Sequence, residues 1–181
     1  MTQPRIKFTV DDYMTTPEGK RYQLLNGELI LAPSPTTRHQ RTLFRLTQAV
    51  NEFVVGHSLG EVFVAPYDVV LSNHDVAQPD LLFVSNQRSA IVTEANIQGA
   101  PDLKVELLSP GTARYDQGYK RTLYARFGVR EYWLADPGAE TVEVLTASEQ
   151  GLVSQAAYQR SDTFTSPLLD ELALDLEQIF G

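Results

Sequence analysis

The sequence contains no cysteine. That one absence excludes a disulfide framework, a cysteine nucleophile and thiolate metal sites together. Histidine is nearly as scarce, at three residues (His39, His57 and His74), so a histidine-rich zinc site is not expected. Long apolar runs are missing as well: the longest reach about five residues, against the roughly 20 that a membrane-spanning helix needs. The opening stretch MTQPRIKFTVDDY has no apolar block of the signal-peptide kind. Repeats, low-complexity tracts and Gly/Ser linkers are also lacking. The expectation is a soluble, cytoplasmic protein, with residues 1–181 forming one domain and no membrane partner. What remains is ordinary for a globular chain: 43% hydrophobic and 21% charged residues. A chain of this size can bury roughly 70% of its unfolded surface, enough for a core without staples.

Charge is unevenly spread. The net charge is −8, yet residues 131–181 hold ten acids against one base, Arg160, for a net of −9. The first 130 residues carry 14 bases and 13 acids. Two segments are basic: 36–50, with Arg38, Arg41 and Arg45, and 112–130, with Arg114, Lys120, Arg121, Arg126 and Arg130 against Asp116 alone. Such a balance argues against broad, tight binding to duplex DNA, while leaving room for a local phosphate-facing surface. The acidic quarter reads as a solvated flank and sheet edge.

Patterning supplies the elements. Thr9 caps a short helix that stops before Pro17, and the Asn26-Gly27 pair in RYQLLNGELILAP joins two strands as a hairpin. Leu43, Leu46, Val50 and Phe53 recur at spacings of three and four, giving an amphipathic helix over 37–55. Strands follow at 61–71, 80–84 and 103–108, then a helix over 113–127 ended by Gly128. Strands at 131–136, 141–146 and 153–158 and a helix over 170–179 complete the chain. Helices before and after a run of strands indicate an α/β (α+β) architecture on a mixed sheet.

Three carboxylates sit where apolar strands should not have them. Glu106 stands in the middle of Leu103-Lys104-Val105-Glu106-Leu107-Leu108, on the strand face of Lys104 and Leu108. Asp80 opens Asp80-Leu81-Leu82-Phe83-Val84 behind Pro79, and Glu28 follows the hairpin turn. Singly, each reads as a solvated edge position or a structural ion pair. Convergent, they would repel unless a divalent cation lies between them, and Mg²⁺ or Mn²⁺ prefers such oxygen donors. On the helix 113–127, Asp116, Lys120 and Tyr124 share a face, and the short loop Ser109-Pro110-Gly111-Thr112 brings Lys120 back toward Glu106. Read blandly, Asp116 and Lys120 are an exposed ion pair of a few tenths of a kcal/mol. His39 opens a helix, where an anion can bind, yet a histidine in a polar run is usually just solvated. Tyr132 and Trp133 read as core strand residues. Ser109 has no His–Asp partner pattern, and neither a Walker loop nor a dinucleotide fingerprint occurs.

Pro79-Asp80 followed by Glu106 in an apolar strand resembles the PD-(D/E)XK nuclease pattern. The chain is similar in particular to the Uma-type restriction-endonuclease family. The matching stretches are Tyr22 to Leu29, Pro33-Ser34-Pro35 with His39, Pro79-Asp80, Pro101 to Pro110, Asp116 with Lys120 and Tyr124, and Gly128 to Leu134 before Asp136-Pro137. The resemblance implies a restriction-endonuclease-like core: a central mixed sheet flanked by helices, with an N-terminal helix and hairpin. It also implies a metal-dependent DNA endonuclease in which Asp80, Glu106 and the backbone carbonyl of Leu107 bind Mg²⁺ (or Mn²⁺). Glu28 would add a ligand or orient water. The superfamily's lysine position, two after Glu106, holds Leu108. In this branch the lysine moves to the next helix, where Lys120 is its match, and Lys104 is the alternative. The same fold could serve as an inactive nucleic-acid-binding or protein-interaction module, or as a hydrolase of another phosphate ester. A homodimer is expected from fold analogy alone.

Overall fold

The computed structural model describes residues 6–17 and 21–181. Helix α1 (Val10–Met14) begins with a reciprocal cap: the Thr9 side chain accepts from the Asp12 amide, and the Asp12 carboxylate from the Thr9 amide. Strands β1 (Tyr22–Leu25) and β2 (Glu28–Leu31) form the expected hairpin. Asn26 and Gly27 take φ of 54° and 75°, the positive values that a tight turn matched to strand twist requires. Helix α2 (Thr37–Gly56) starts at the Thr36 cap and buries Leu43, Leu46, Val50 and Val54 along one stripe.

The expected strand 61–71 is two strands, β3 (Gly60–Val64) and β4 (Val69–Ser72), in different sheets. Pro66 lies between them and has no N–H to continue a ladder. Two short strands escaped the sequence pattern, β5 (Asp75–Ala77) and β7 (Ile97–Gln98). They join the hairpin and β4 in a five-stranded sheet of order β2-β1-β5-β4-β7. The second sheet contains β6 (Leu81–Ser85), β8 (Leu103–Leu107), β9 (Glu131–Asp136), β10 (Thr141–Ser148) and β11 (Gly151–Gln159), in the order β11-β10-β9-β8-β6-β3. Its β8–β9 pair is parallel and the rest are antiparallel, which makes it mixed, as expected.

The crossover between β8 and β9 carries the expected helix in two parts. Residues Tyr115–Lys120 form a π-helical turn, and α3 (Arg121–Phe127) continues it to Gly128, whose φ of 84° closes the helix in the left-handed region. The C-terminal expectation is corrected. Residues Ala173–Asp175 (β13) pair with Thr163–Thr165 (β12), and only Leu176–Phe180 is helical (α4). Leu172, Leu174 and Leu176 recur every second residue and all face inward, a strand period rather than a helical one.

The six-stranded sheet buries apolar side chains on both faces. One face, with Leu81, Phe83, Leu103, Val105, Leu107 and Trp133, packs against α2, α4 and the C-terminal strands. The other, with Leu82, Val84, Tyr132 and Leu134, packs against α3 and the five-stranded sheet. Tyr132 and Trp133 are fully buried, as expected of core residues. Among the described residues, no helix is long and apolar enough to cross a membrane.

Candidate active site

The sheet register brings the two central carboxylates together. Leu81 pairs with Val105 and Leu82 with Lys104, so the antiparallel register of β6 and β8 continues to Asp80 opposite Glu106. Both side chains are on the same face and both are nearly buried, at 8% and 4% exposure. Asp80 Oδ2 accepts the backbone N–H of Leu107 at 2.8 Å, which fastens the start of β6 to the end of β8. Its other oxygen, Oδ1, stands 3.2 Å from His39 Nε2. His39 lies in the first turn of α2, where the Thr36 hydroxyl accepts its amide. Sequence reasoning took this histidine for a solvated one; the missing signal was tertiary, because nothing local relates residue 39 to residue 80.

Glu106 is held from the following helix. Its Oε1 accepts from Lys120 Nζ and from the Tyr124 hydroxyl, each at 2.9 Å. Lys120 Nζ also lies 2.8 Å from Asp116 Oδ1, an ion pair. Lys120 and Asp116 are each 1% exposed, so of the two readings the exposed surface pair is set aside and Lys120 does turn to Glu106: this is a buried triad of two carboxylates and one ammonium. The π-helical turn sets the triad's geometry, because it widens the backbone between Asp116 and Lys120 while keeping both inward. Tyr132 closes the arrangement by donating to the Asp116 carbonyl at 3.1 Å.

The electrostatics follow from burial. Glu106 is pushed from the usual 4.5 up to about 8, first by desolvation, opposed by Lys120 and reinforced by the charges of Asp116 and Asp80. Burial works against the charge on Lys120, but Glu106 and Asp116 outweigh it and hold its pKa above the ordinary lysine value. Lys104 behaves oppositely. It is fully buried with no hydrogen-bond partner among the described residues, and its Nζ sits 3.8 Å from the centre of the Tyr124 ring. Burial drives its pKa well down, Glu106 opposes this and the Lys120 charge adds to it. Burial and neighbouring charges thus move the two lysines in opposite directions.

A cleft of about 630 Å³ opens onto this centre. Asp80, Glu106, Leu107, His39 and Lys120 all line it, whereas Lys104 does not. Arg21 and Arg38 add positive charge to its walls, and Gln23 and Gln78 add amides. Gln23 is a polar residue in the apolar strand β1, the same signal that marked Asp80 and Glu106, and it was legible in the sequence. Glu28 is placed elsewhere: it belongs to a separate cavity beside Lys7, Asn26 and Gly27. The hairpin presents its open end, at Arg21, Gln23 and Ala32, to the cleft and its turn to the opposite side, so a residue just past the turn does not reach the other two carboxylates. Among the described residues, no three His, Asp or Glu side chains are grouped so as to hold a metal ion. A cation here would rest on two side-chain carboxylates, with backbone and water oxygens completing its shell.

A family model described as "Putative restriction endonuclease", Uma2, matches residues 10–177. A crystal structure of a putative nuclease belonging to DUF820, from Anabaena variabilis ATCC 29413, superposes with a TM-score of 0.78 at 21% identity. That alignment covers 96% of this chain and 97% of the other, and it shows a shared fold. No curated protein matches significantly.

Proposed function

From the chain's membership of the Uma2 putative restriction endonuclease family, we propose that this protein is a metal-dependent nuclease acting through Asp80, Glu106 and Lys120 as one domain. The observation that carries this reading is the juxtaposition of Asp80 and Glu106 on neighbouring strands, facing one cleft, with Lys120 at hydrogen-bond distance of Glu106. The donor chemistry fits a hard divalent cation. Asp80 and Glu106 offer carboxylate oxygens, and the backbone carbonyl of Leu107, also lining the cleft, offers a third. Glu106 supports the fit, since burial raises the pKa of this carboxylate to about 8 and a cation beside it would favour the ionised form. Mg²⁺ is the cation proposed, with Mn²⁺ as its substitute. Bound there, it would lower the pKa of a water and neutralise charge developing on a phosphodiester.

The chain's own residues do the remaining work. Lys120 favours the ionised form of Glu106 against the effect of burial and stands where a phosphate oxygen or attacking water can be held. Tyr124, donating to the same Glu106 oxygen, fixes that carboxylate's orientation. His39 restrains Asp80, and Arg21 and Arg38 supply charge for neighbouring phosphates. The reaction proposed is hydrolysis of a DNA phosphodiester.

A second reading, an inactive binding module, is favoured by Leu108, which is half-buried against the apolar cluster at the superfamily's lysine position. Nicking and single-strand cleavage assays in Mg²⁺, Mn²⁺ or EDTA separate the two. Cleavage that needs metal and is lost in Asp80→Asn and Lys120→Ala is expected. Loss in Asp80→Asn alone would reassign the lysine, and no cleavage by wild type would leave the binding module.

A further inference from the structure

We infer that the cleft admits a single polynucleotide strand and excludes an intact duplex; this rests on the nuclease reading above and names the substrate form of the same site. The first ground is depth. Asp80, Glu106 and Lys120 are 8%, 4% and 1% exposed, so the reacting groups form the floor of the cleft and do not project from it. A phosphate must come down to them.

The second ground is the walls. On one side stand Pro33, Ser34, Pro35 and Thr36, which lead into α2; on the other stand Ser109, Pro110 and Thr112, which follow β8. These two loops approach each other: a Cβ added to Gly111 would lie 3.4 Å from Cγ of Pro33, so little more than a methyl group fits between the rims at that point. In a duplex each phosphate lies on a convex cylinder with its partner strand alongside. Pressing one against a floor at this depth would drive the partner strand into the two loops that narrow the cleft. A lone strand has no partner strand to clear, and its backbone bends freely.

The third ground is charge. Duplex binders neutralise many phosphates over a broad face, whereas among the described residues the basic side chains lining the cleft are Arg21, Arg38, Lys120 and His39, in a chain of net −8. Lys120 is already matched by two carboxylates. Arg21 and Arg38 are therefore the phosphate contacts, enough for a few nucleotides. The lining contains no Phe, Tyr or Trp among the described residues, so bases are not stacked and the cleft reads backbone rather than sequence.

The test uses the full chain on fluorescent oligomers of one sequence presented as single-stranded DNA, single-stranded RNA and blunt duplex. Cleavage is followed with wild type in Mg²⁺. Binding is followed by anisotropy with Asp80→Asn, so that it is read without turnover. Expected are single-strand binding and cleavage at least about tenfold above duplex, and a slope of log K against log salt near −1.4, from about −0.7 per phosphate for two contacts. The DNA and RNA arms identify which strand chemistry is taken. Pro33→Ala, which removes the ring that faces Gly111 across this gap, should raise duplex cleavage relative to single strand. Equal or preferred use of duplex by wild type, or binding of no single strand, overturns the inference. A single strand bound but never cut, in any metal, upholds the inference and overturns the nuclease reading instead.

Discussion

Glu106 makes stability depend on pH in a direction opposite to most carboxylates. Its pKa rises from the usual 4.5 in the unfolded chain to about 8 in the fold. Between those values the folded protein binds more protons than the unfolded one, so this group's contribution is fully present below pH 4.5 and is lost as pH rises through about 8. Thermal melts in EDTA should show Tm falling across that window, and Glu106→Gln should flatten the slope. Lys120→Ala should act more severely, leaving two buried carboxylates without their ammonium at a cost of about 3–5 kcal/mol. Urea unfolding checks this, and pairing the change with Asp116→Asn should recover part of the loss. At this scale the sequence was informative where a charge broke an apolar strand, as at Asp80 and Glu106. It was silent on Arg21, it left His39 between an anion site and a solvated residue because Asp80 is distant in the chain, and it set Glu28 beside a turn that lies away from the cleft.

Within the crossover helix, two glycines ten positions apart should answer the same substitution with opposite signs. Gly128 closes the helix at φ 84°, where a Cβ is strained, so Gly128→Ala should destabilise by about 1 kcal/mol. Gly118 lies in the π-helical turn with open space around the position of a Cβ. Gly118→Ala should stabilise by roughly 0.5–1 kcal/mol, since alanine loses less backbone freedom on folding. Chemical denaturation of both variants decides it: two changes of one sign would contradict this account of the helix. Strongly periodic elements, such as α2 and the strand 131–136, were legible from spacing alone. Elements defined by a break were not. One proline divides 61–71 between two sheets, and an alternation of three leucines turns an apparent terminal helix into a strand. The π-helical turn leaves no mark in an apolar pattern that α and π windings share.

The acidic C-terminal quarter is half flank and half core. Nine of its ten acids are exposed or partly exposed, but Phe164, Leu169, Leu172, Leu174, Leu176 and Ile179 are buried against the sheet and α2. Glu131, itself 1% exposed, ties the segment down by accepting from Trp133, from the Ser166 hydroxyl and from the Leu168 amide. At about 1.5–3 kcal/mol per buried side chain, six such residues rival the 5–15 kcal/mol by which a whole domain is stable. A chain truncated after Asp162 should therefore show no cooperative melt by circular dichroism, and a sharp transition in the truncated form would refute that role. Composition located the negative charge correctly. It could not reveal that every second residue beneath that charge belongs to the core.

Asp80 has two occupations, and they would part company if the lineage stopped cutting nucleic acid. Its grip on the Leu107 amide secures one strand to the next whether or not any reaction follows, and the Glu106–Lys120–Asp116 triad likewise fills space that few other groups could fill. Among the described residues the side chains of Arg21 and Arg38 make no hydrogen bond or ion pair, and that of His39 makes one, to Asp80. A descendant that had lost its activity would shed those three first and keep the aspartate, the glutamate and the lysine as heirlooms of architecture. In telling working members of this family from retired ones, the rim of the cleft is then the better witness than its floor.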